Sequence, residues 1–485
     1  MHSSIDRNTR LFKGVDLLAV LLYAAIVIAG CVSITSASYD DTTGSGFFSL
    51  SHFYMKQAVW VSIACTMAIV VLLLDERFYH MLAYPAYAVG LVMLVAALLF
   101  GREVNGAKAW FEFGSFRMQP VEFAKIATAL ALARVMSAYT FSIDRAGDLF
   151  KVALVICLPL GIIILQNDTG SGIVLGSFLF VLYREGLNKW LCVPVLLIAT
   201  LFIISFLLTP MTLLVLSIVV CTLCEAMINH HWRASIIYLA SLALASIVCY
   251  AALVVFAPGT ADFYRTLLVV TILSLIGVAI YAYRVNLNNI YLIIGLFVGM
   301  LIFFPTTDYI FNSILKEHQQ NRIKSFLGII SDPRGIDYNV NQSKIAIGSG
   351  GFTGKGFMEG TQIRYGFVPE HHTDFIFCTV GEEWGFLGTI FVLSLFCLLI
   401  FRLMRMGERQ EEPFGRIYCY CVASILLFHV LVNVGMTIGL VPVMGIPLPL
   451  MSYGGSSLIA FTILIFIAIR LDAATKQFSP NKFRP

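Results

Sequence analysis

The chain has 485 residues, of which 59% are hydrophobic and 12% are charged, and its formal net charge is +4. A soluble globular protein carries about a quarter charged residues, so this composition excludes the soluble class and indicates a polytopic membrane protein. The small net charge, without a basic patch interleaved with aromatic residues, excludes nucleic-acid binding. The 11 cysteines fall in or at the ends of apolar runs, so no disulfide framework is predicted.

Fourteen apolar runs are predicted as transmembrane helices, at about 20 residues per span. They are 15–37, 56–74, 79–99, 119–138, 147–166, 170–184, 189–208, 210–229, 234–257, 265–284, 289–312, 374–401, 416–440 and 455–470. The first run is long enough to span, so it is predicted to be retained rather than cleaved as a signal peptide. The predicted fold class is therefore an all-α polytopic membrane protein.

Lysine and arginine residues give the predicted orientation. One dense group lies between two spans and consists of Arg402, Arg405, Arg409 and Arg416. With the N-terminus in the cytoplasm, this group and the basic C-terminal tail are cytoplasmic, as the positive-inside rule requires. The long polar loop 314–374 then lies on the extracytoplasmic side.

Ionisable residues within apolar runs are costly unless they are paired or hydrated, so each is a candidate site residue. In QPVEFAK, Glu122 and Lys125 share one helical face. They are either a self-neutralising pair that lets the helix insert or part of a functional site. In QNDTGSG, Asp168 stands at a break between two spans and either caps the next helix or belongs to a site.

A third group of charges lies in EHHTDFIFCTVGEEWG. Asp374 opens a span, either as a helix cap or as a site residue, and Glu382 and Glu383 lie about two turns deeper. Two adjacent acids inside a span need partners. Lys125 or Lys344 could supply one of these partners.

The loop 314–374 is the one long polar interruption of the chain, and it contains SDPRGIDYNVNQSKIAIGSGGFTGKGF. Its glycines, proline and pairable charges favour an ordered, functional loop. Asp332 precedes Pro333, so a turn-forming role explains it as well as a catalytic one. GSGGFTGKGF does not match a phosphate-binding P-loop, because Lys355 is followed by glycine. The adjacent pair His371-His372 does not present both rings on one helical face to a metal.

The segment Gly439–Ser456 is apolar but cannot form a regular helix. Pro442, Pro447 and Pro449 each remove a backbone donor. Non-helical backbone at membrane depth survives only where it lines a cavity or is buried in protein. A re-entrant or surface-lying segment is therefore predicted beside the loop 314–374.

Together these blocks resemble the SEDS family (shape, elongation, division and sporulation), the RodA/FtsW-type peptidoglycan glycosyltransferases. The resemblance covers about 105–185 and 320–470, through NGAKAWF, QPVEFAK, QNDTGSG, the loop sequence, VPEHHTDFIF, GEEWGFLG and NVGMTIGLVPVMGIPLPLMSYGGSS. GKG followed by GTQ resembles the RodA branch more than the FtsW branch. The chain departs from the family pattern at Lys56, Asn167 and Asp337.

The resemblance implies a single SEDS-type membrane domain over residues 1–485. The family has ten spans, so the four spans within 189–284 are interpreted as an insertion. Because four is even, the loop 314–374 keeps the extracytoplasmic side and is expected to be the catalytic loop.

The activity that the resemblance implies is polymerisation of lipid II, the undecaprenyl-pyrophosphate disaccharide-peptide, on the outer face of the bacterial cytoplasmic membrane during elongation. The family's essential loop aspartate corresponds to Asp332, the expected general base in an inverting single displacement. The expected substrate-binding residues are Glu122, Lys125, Asp168, Arg334, Gln342, Ser343, Lys344, His372 and Asp374.

Within that set, Lys125, Arg334 and Lys344 are expected to stabilise the departing pyrophosphate. A divalent cation (Mg²⁺ or Mn²⁺) could share this work, although the sequence shows no ligand set. The implied partners are a class B penicillin-binding protein transpeptidase and the shape proteins of the elongation complex. Two other classes stay open from the residues alone, a lipid-linked precursor flippase or transporter and a non-catalytic scaffold of the cell-wall synthesis complex.

Overall fold

The computed structural model describes residues 14–38, 53–104, 106–114, 116–188, 201–202, 204–206, 208–230, 232–257, 259, 261–285, 288–315, 317–329 and 337–478. The chain forms two compact units. One consists of Met1–Cys192 with Gly328–Pro485, and the other of Val193–Leu327. The boundary at 192/193 lies close to the predicted start of the insertion, whereas the second boundary lies beyond its predicted end.

The first unit is a bundle of long apolar helices. In chain order its helices are α1 (Leu17–Ser38), α2 (Phe53–Leu73), α3 (Glu76–Phe100), α4 (Pro120–Met136), α5 (Ala146–Leu165), α6 (Thr169–Leu175), α7 (Phe178–Arg184), then α13 (Tyr338–Ser349), α14 (Thr361–Arg364), α15 (Ile376–Arg409), α16 (Pro413–Thr437) and α17 (Gly455–Phe478).

A small antiparallel sheet connects α3 to α4, an addition to the predicted all-helical fold. Its strands are β1 (Arg102–Val104), β2 (Ala107–Phe113) and β3 (Phe116–Met118), in the order β1-β2-β3. Arg102 pairs with Trp110 across β1 and β2, and Phe111 pairs with Met118 across β2 and β3. Each strand pair is antiparallel because only a short turn joins its strands.

Helix α4 lies in the centre of the first unit. Fourteen of its 17 residues are buried, and many of them are alanine, which allows neighbouring helices to approach closely. At Gly90 of α3, a Cβ would come within 3.3 Å of the Ala127 Cβ. Pro120 opens α4 at a position where its missing N–H costs nothing. This tight packing encloses two charged residues of α4, Glu122 and Lys125.

The second unit contains α8 (Pro210–Asn229), α9 (Trp232–Phe256), α10 (Phe263–Val285), α11 (Asn288–Tyr309), which continues as a π-helix (Ile310–Ile314), and α12 (Glu317–Phe326). Its apolar core lies between α8, α9, α10 and α11 and includes Leu214, Leu242, Leu267 and Phe297.

The prediction of a polytopic helical membrane fold is confirmed. Eleven described helices are long and apolar enough to cross a membrane, and α16 and α17 are the most enclosed of them. The predicted span 119–138 corresponds to α4, and 170–184 corresponds to the pair α6 and α7. The predicted span 189–208 lies largely outside the described residues.

The backbone between α16 and α17 is not helical, as the prolines predict. In contrast, the described part of the loop 314–374 is more regular than its glycine content suggests. Helix α13 starts at Tyr338 and ends at Ser349, and the short α14 follows after a run of turns. Asp332 and Arg334 precede α13 and lie outside the described residues.

Candidate functional site

Two charged residues of α4 form an ion pair inside the helical bundle. Lys125 Nζ lies 2.9 Å from Glu122 Oε1, and both side chains are 3% exposed. The predicted pairing on one helical face is therefore correct. The second carboxylate oxygen, Glu122 Oε2, is buried and has no hydrogen-bond partner among the described residues. The pair consequently keeps one unused acceptor.

A histidine from another helix completes this cluster. His429 Nε2 of α16 lies 2.9 Å from Lys125 Nζ, and its Nδ1 lies 3.3 Å from the Pro447 carbonyl oxygen. A carbonyl only accepts, so these contacts fit a neutral ring that donates from Nδ1 and accepts a hydrogen bond from the Lys125 ammonium at Nε2. The Lys125 ammonium also lies 5.0 Å from the centre of the Phe461 ring, a favourable cation–π distance. We refer to Glu122, Lys125 and His429 as the buried triad.

Asp168 acts as the cap of α6, one of its two predicted roles. Its Oδ1 accepts a hydrogen bond from the Ser171 backbone N–H at 3.1 Å. Its Oδ2 accepts a second bond from the Gln119 side chain at 2.9 Å, just before α4 begins. Asp168 therefore orients α4 relative to α6, and both of its oxygens have protein partners.

The segment 439–454 between α16 and α17 lies beside the end of the loop, as predicted. Ser452 Oγ donates to the Thr373 carbonyl at 2.7 Å, and the Tyr453 N–H donates to the His372 carbonyl at 2.9 Å. From α16, Asn433 Nδ2 donates to the Asp374 carbonyl at 2.8 Å and to the Ile446 carbonyl at 2.7 Å. These bonds hold the two non-helical segments together.

Asp374 does not cap α15. The residue at that cap is Phe375, which makes no side-chain capping bond, and α15 starts at Ile376. The Asp374 side chain instead points toward Gly445 of the non-helical segment, where a Cβ would lie 3.5 Å from Oδ2. The residue therefore lies between the loop and this segment, which is consistent with a site role.

The glycine-rich part of the loop wraps around the acidic turn of α15. A Cβ at Gly350 would lie 2.0 Å from the Gly381 carbonyl oxygen, and one at Gly354 would lie 2.0 Å from that of Glu383. Gly354 also has a φ of +82°, which favours glycine. The glycines are therefore required for close backbone approach, and no phosphate-binding role is needed to explain them.

The two acids of α15 have partners that differ from the predicted ones. Glu382 is fully buried, and its Oε1 lies 2.6 Å from Lys355 Nζ; neither Lys125 nor Lys344 pairs with it. Glu382 also accepts backbone N–H bonds from Gln362 and Ile363 at the start of α14.

Glu383 accepts a hydrogen bond from the Ser36 hydroxyl at the end of α1. Both acids have partners, as expected, but neither expected lysine supplies one. Lys355 pairs with Glu382 instead, because the glycine turn brings it over α15. Together, Glu382 and Glu383 tie the glycine turn, α14 and α1 to one point on α15.

His372 lies in an aromatic cluster at the end of the loop. Its ring stacks on Phe53 of α2 with centroids 4.6 Å apart, and Tyr453 lies 6.0 Å away. Burial, and secondarily the neighbouring His371, lower the pKa of His372. The neutral ring is therefore favoured at this position. Lys56 lies 5.6 Å from the Phe53 ring and adds a cation at the edge of the cluster.

Three further predicted residues lie on α13 and have different surroundings. Ser343 is buried, and its hydroxyl donates to the Thr437 carbonyl at 2.9 Å, which fixes α13 against the end of α16. Gln342 is half-buried, and Lys344 is exposed. A Cβ at Gly439 would lie 2.6 Å from Lys344 Nζ, so this cation lies beside the non-helical segment.

The structure separates the predicted cations by environment. Lys125 is enclosed in the buried triad, whereas Lys344 has an exposed side chain on α13. Between these two described cations, Lys344 is therefore the one that a ligand from outside the bundle can reach; Arg334 lies outside the described residues. Sequence reasoning missed His429 and Lys355. The sequence gives one signal for each of them: His429 lies inside an apolar run, and Lys355 lies in a glycine-rich turn.

Comparison with known proteins places these features in a family. The family model for FtsW, RodA and SpoVE, described as "Cell cycle protein", matches residues 16–219 and 211–477. The peptidoglycan glycosyltransferase RodA of Treponema pallidum (strain Nichols) is 31% identical over 466 residues, which cover 95% of this chain and 98% of that protein. The peptidoglycan glycosyltransferase MrdB of Escherichia coli (strain K12) is 30% identical, with 96% and 94% covered.

Solved structures share the fold. A chain from the study "Structural coordination of polymerization and crosslinking by a peptidoglycan synthase complex" aligns with a TM-score of 0.57 and 25% identity, covering 96% of this chain and 99% of that one. The crystal structure of the rod shape determining protein RodA from Thermus thermophilus aligns with a TM-score of 0.54 and 24% identity, with 95% and 97% covered. Both alignments extend over nearly the whole of each chain.

Proposed function

Because the chain belongs to the FtsW, RodA and SpoVE family of cell-cycle proteins, we propose that it is a peptidoglycan glycosyltransferase of the RodA branch, which polymerises lipid II during cell elongation. The observation that carries this proposal is similarity along nearly the full length of relatives named for that activity. The chain covers 98% of the Treponema RodA and 94% of the Escherichia MrdB. The proposal therefore concerns the whole enzyme rather than one segment of it.

The chain is an integral membrane protein, and the proposed location is the bacterial cytoplasmic membrane. The proposed active site is extracytoplasmic, because the clusters of lysine and arginine favour a cytoplasmic position for the opposite ends of the helices. The contacts between 372–374 and the segment 439–454 support a rigid platform on this side. Rigid support is what precise positioning of two lipid-linked sugars requires.

In the proposed reaction, Asp332 removes the proton from the acceptor sugar hydroxyl. The resulting oxygen attacks the anomeric carbon of the donor, the bond from that carbon to the pyrophosphate breaks, and the pyrophosphate leaves with the electron pair. A diphosphate is a good leaving group, so one carboxylate suffices where glycoside hydrolysis uses two. A single displacement inverts the anomeric centre. Partial desolvation by the lipid would bring an aspartate closer to the basicity that neutral pH requires.

Positive charge is needed where the pyrophosphate departs. The exposed Lys344 on α13 is the described residue best placed for this role. Arg334 is proposed for the same role from the resemblance, and Lys125 is proposed to act indirectly by fixing α4 and α16. His372 and Asp374 are proposed to contact substrate where the loop meets the non-helical segment.

A divalent cation, Mg²⁺ or Mn²⁺, is given no role in the proposed reaction, and its requirement is left to the activity assay. No group of three or more His, Cys, Asp or Glu side chains in the described part of the chain could hold a metal. The described residues therefore do not supply a ligand set, and no step above depends on a cation. Comparison of activity in Mg²⁺, in Mn²⁺ and in EDTA would test the requirement.

The proposed partner is a class B penicillin-binding protein that cross-links the strands within the elongation complex. The similarity to a chain from a peptidoglycan synthase complex supports this proposal. The partner surface is expected to include part of the extracytoplasmic loop.

The function is tested with purified protein, alone and with its transpeptidase partner, supplied with lipid II. Products are resolved by gel electrophoresis and by mass spectrometry after muramidase digestion. A polymerase forms strands of many disaccharides, and release of monomer only would contradict the proposal. The same protein in liposomes is assayed for movement of labelled lipid II across the bilayer. Transport without polymer would identify a flippase, and neither activity would identify a scaffold.

A further inference from the structure

The second compact unit contains a cavity that the proposed polymerase reaction does not use. Its volume is about 230 Å³, and it lies among α8, α9, α10 and α11. Aliphatic and aromatic side chains such as Ile218, Ile293 and Phe297 form most of its interior. An apolar cavity of about 150 Å³ holds the carbons of one benzene molecule, so by the same ratio this one holds roughly nine carbons.

The cavity is long and narrow. Its lining residues extend from Ile218 to Glu225 on α8 and from Thr271 to Tyr281 on α10. At a rise of about 1.5 Å per residue these stretches are about 10 Å and 15 Å long, so the volume corresponds to a channel about 5 Å wide. Carbon atoms in van der Waals contact are about 3.5–4.0 Å apart. The cavity therefore takes one alkyl chain in single file.

The cavity opens close to the ends of its helices. Ala234, in the first turn of α9, and Tyr281, in the last two turns of α10, line the cavity and are exposed, and we refer to this part as the mouth. Ile218, Thr271 and Phe297 line the opposite part and are buried near the middle of their helices. The helices are long enough to span a membrane, so the mouth lies toward the membrane surface and the interior toward the bilayer centre. A lipid chain that enters at the mouth keeps the direction it has in the bilayer.

The hydroxyl groups of the lining are engaged within the protein. Thr222 and Thr271 each donate to the carbonyl oxygen four residues earlier in their own helix, at 2.7 Å. The Tyr238 hydroxyl is bonded to a serine hydroxyl of α10 at 2.8 Å. Toward the mouth, the Ser235 hydroxyl donates to the Glu225 carboxylate. Polar groups of a ligand would lose their water partners in this interior, which costs free energy, so the interior favours a hydrocarbon.

Two arginines flank the mouth. Arg233 precedes Ala234 on α9, and Arg284 follows Tyr281 by three residues on the same face of α10. Both arginine side chains are exposed. Arginines near a membrane surface attract anionic lipids, and the guanidinium group matches the geometry of phosphate oxygens. The mouth is therefore suited to a negatively charged headgroup.

We propose that the cavity among α8–α11 binds one acyl chain of an anionic phospholipid, whose phosphate contacts Arg233 and Arg284 at the mouth. Roughly nine carbons of the chain lie inside the cavity, and the rest of the lipid stays in the bilayer. The lipid only binds, and no bond forms or breaks. The site belongs to the second compact unit alone and does not depend on the polymerase activity.

The test uses the full-length protein in phosphatidylcholine nanodiscs that contain increasing fractions of a phosphatidylglycerol with a diazirine at the end of one chain. After illumination, the labelled residues are identified by mass spectrometry. Label on Thr271 and Leu275, which line the cavity, should saturate as the probe fraction rises. Label on Leu273 and Ile276, which are exposed on the same helix, reports the surrounding lipid and should rise in proportion.

A second probe tests the headgroup. It is a phosphatidylcholine that carries the diazirine on the same chain. The phosphatidylglycerol probe should half-saturate the lining at a fraction about 25-fold lower, because each arginine near the surface contributes about a fivefold preference for an anionic lipid.

Variants separate the chain site from the headgroup contacts. Ile293→Trp fills the cavity and should reduce the lining label at least about tenfold for both probes, with the surface label unchanged. Arg233→Gln/Arg284→Gln should keep the lining label and remove the difference between the probes. Arg265→Gln is the matched control, because Arg265 is an exposed arginine at the other end of α10, where it pairs with Asp262. It should keep the wild-type preference.

Each part of the proposal has an outcome that overturns it. Absence of label from the lining, or lining label that rises in proportion to the probe fraction, would overturn the chain site. Unchanged lining label in Ile293→Trp would do the same. If Ile293→Trp does not fold, Val278→Phe fills the cavity from α10 and decides the question in its place. Equal half-saturating fractions for the two probes in the wild type, or an unchanged difference in the double arginine variant, would overturn the headgroup contacts.

Discussion

Removal of the lysine from the buried triad is expected to destabilise the protein strongly. In Lys125→Met, the Glu122 carboxylate would lose the ammonium that lies 2.9 Å away and would stay buried. At that separation, an effective dielectric constant of about 20 gives an attraction of roughly 6 kcal/mol before desolvation is counted. Removal of one partner of a buried pair costs about 3–5 kcal/mol in measured cases. We expect a loss of that size in the free energy of unfolding.

The double variant Glu122→Gln/Lys125→Met separates the two interpretations of the pair. The double variant removes both charges of the buried pair, so we expect it to recover most of the stability lost in Lys125→Met. If the pair only allows α4 to insert, polymerisation of lipid II should recover together with stability. If the pair also serves the reaction, stability should recover and activity should not.

A matched control lies on α5. Lys151 Nζ is 2.8 Å from Asp148 Oδ1 with the same spacing of three residues, but the Lys151 side chain is 66% exposed. Lys151→Met should therefore change the free energy of unfolding by about 0–1 kcal/mol. Unfolding is followed by titration with a denaturing detergent and by thermal melts in one fixed mild detergent. A loss in Lys125→Met no larger than in Lys151→Met would refute the reasoning.

Three further predictions concern the loop. Lys355→Met leaves Glu382 buried without its cation and should cost about 1–3 kcal/mol in the free energy of unfolding, measured in the same titration. Gly350→Ala should lower the melting temperature by several degrees because its Cβ would lie 2.0 Å from the Gly381 carbonyl oxygen, whereas Gly348→Ala, with open space around its Cβ, should not. The wild type should lose stability below about pH 6.5, because the unfolded state binds the proton of His372 first, and His372→Phe should lose less.

Each of these three has an outcome that contradicts it. Full stability of Lys355→Met would mean that the backbone donors alone satisfy Glu382. Equal melting temperatures for the two alanine variants would mean that the glycine turn moves away from α15 easily. An identical pH profile in His372→Phe would assign the acid sensitivity to other groups.

Local sequence patterns predicted the features that neighbouring residues determine. Glu122 and Lys125 pair because three residues separate them on a helix, and Asp168 caps α6 because it precedes a break. The prolines between Gly439 and Ser456 excluded a helix there.

Contacts between distant parts of the chain could not be predicted in the same way. His429 is 304 residues from Lys125, and only the packing of α16 on α4 brings the two together. Lys355 reaches Glu382 because the glycine turn folds over α15, a path that no periodicity encodes. The hydroxyl of Ser343 has its partner in another helix, so its structural role was equally hidden.

The most direct test of the proposed mechanism compares two aspartates of the loop. Asp332→Asn removes the proposed base but keeps the size and shape of the side chain. Asp337→Asn makes the same change just before α13. Both variants and the wild type are purified and supplied with lipid II, and the initial rate of strand formation is measured. We expect Asp332→Asn to lose at least a hundredfold in rate, the lower range of a general base's contribution, and Asp337→Asn to stay within a few fold of wild type. Full retained activity in Asp332→Asn would contradict the account.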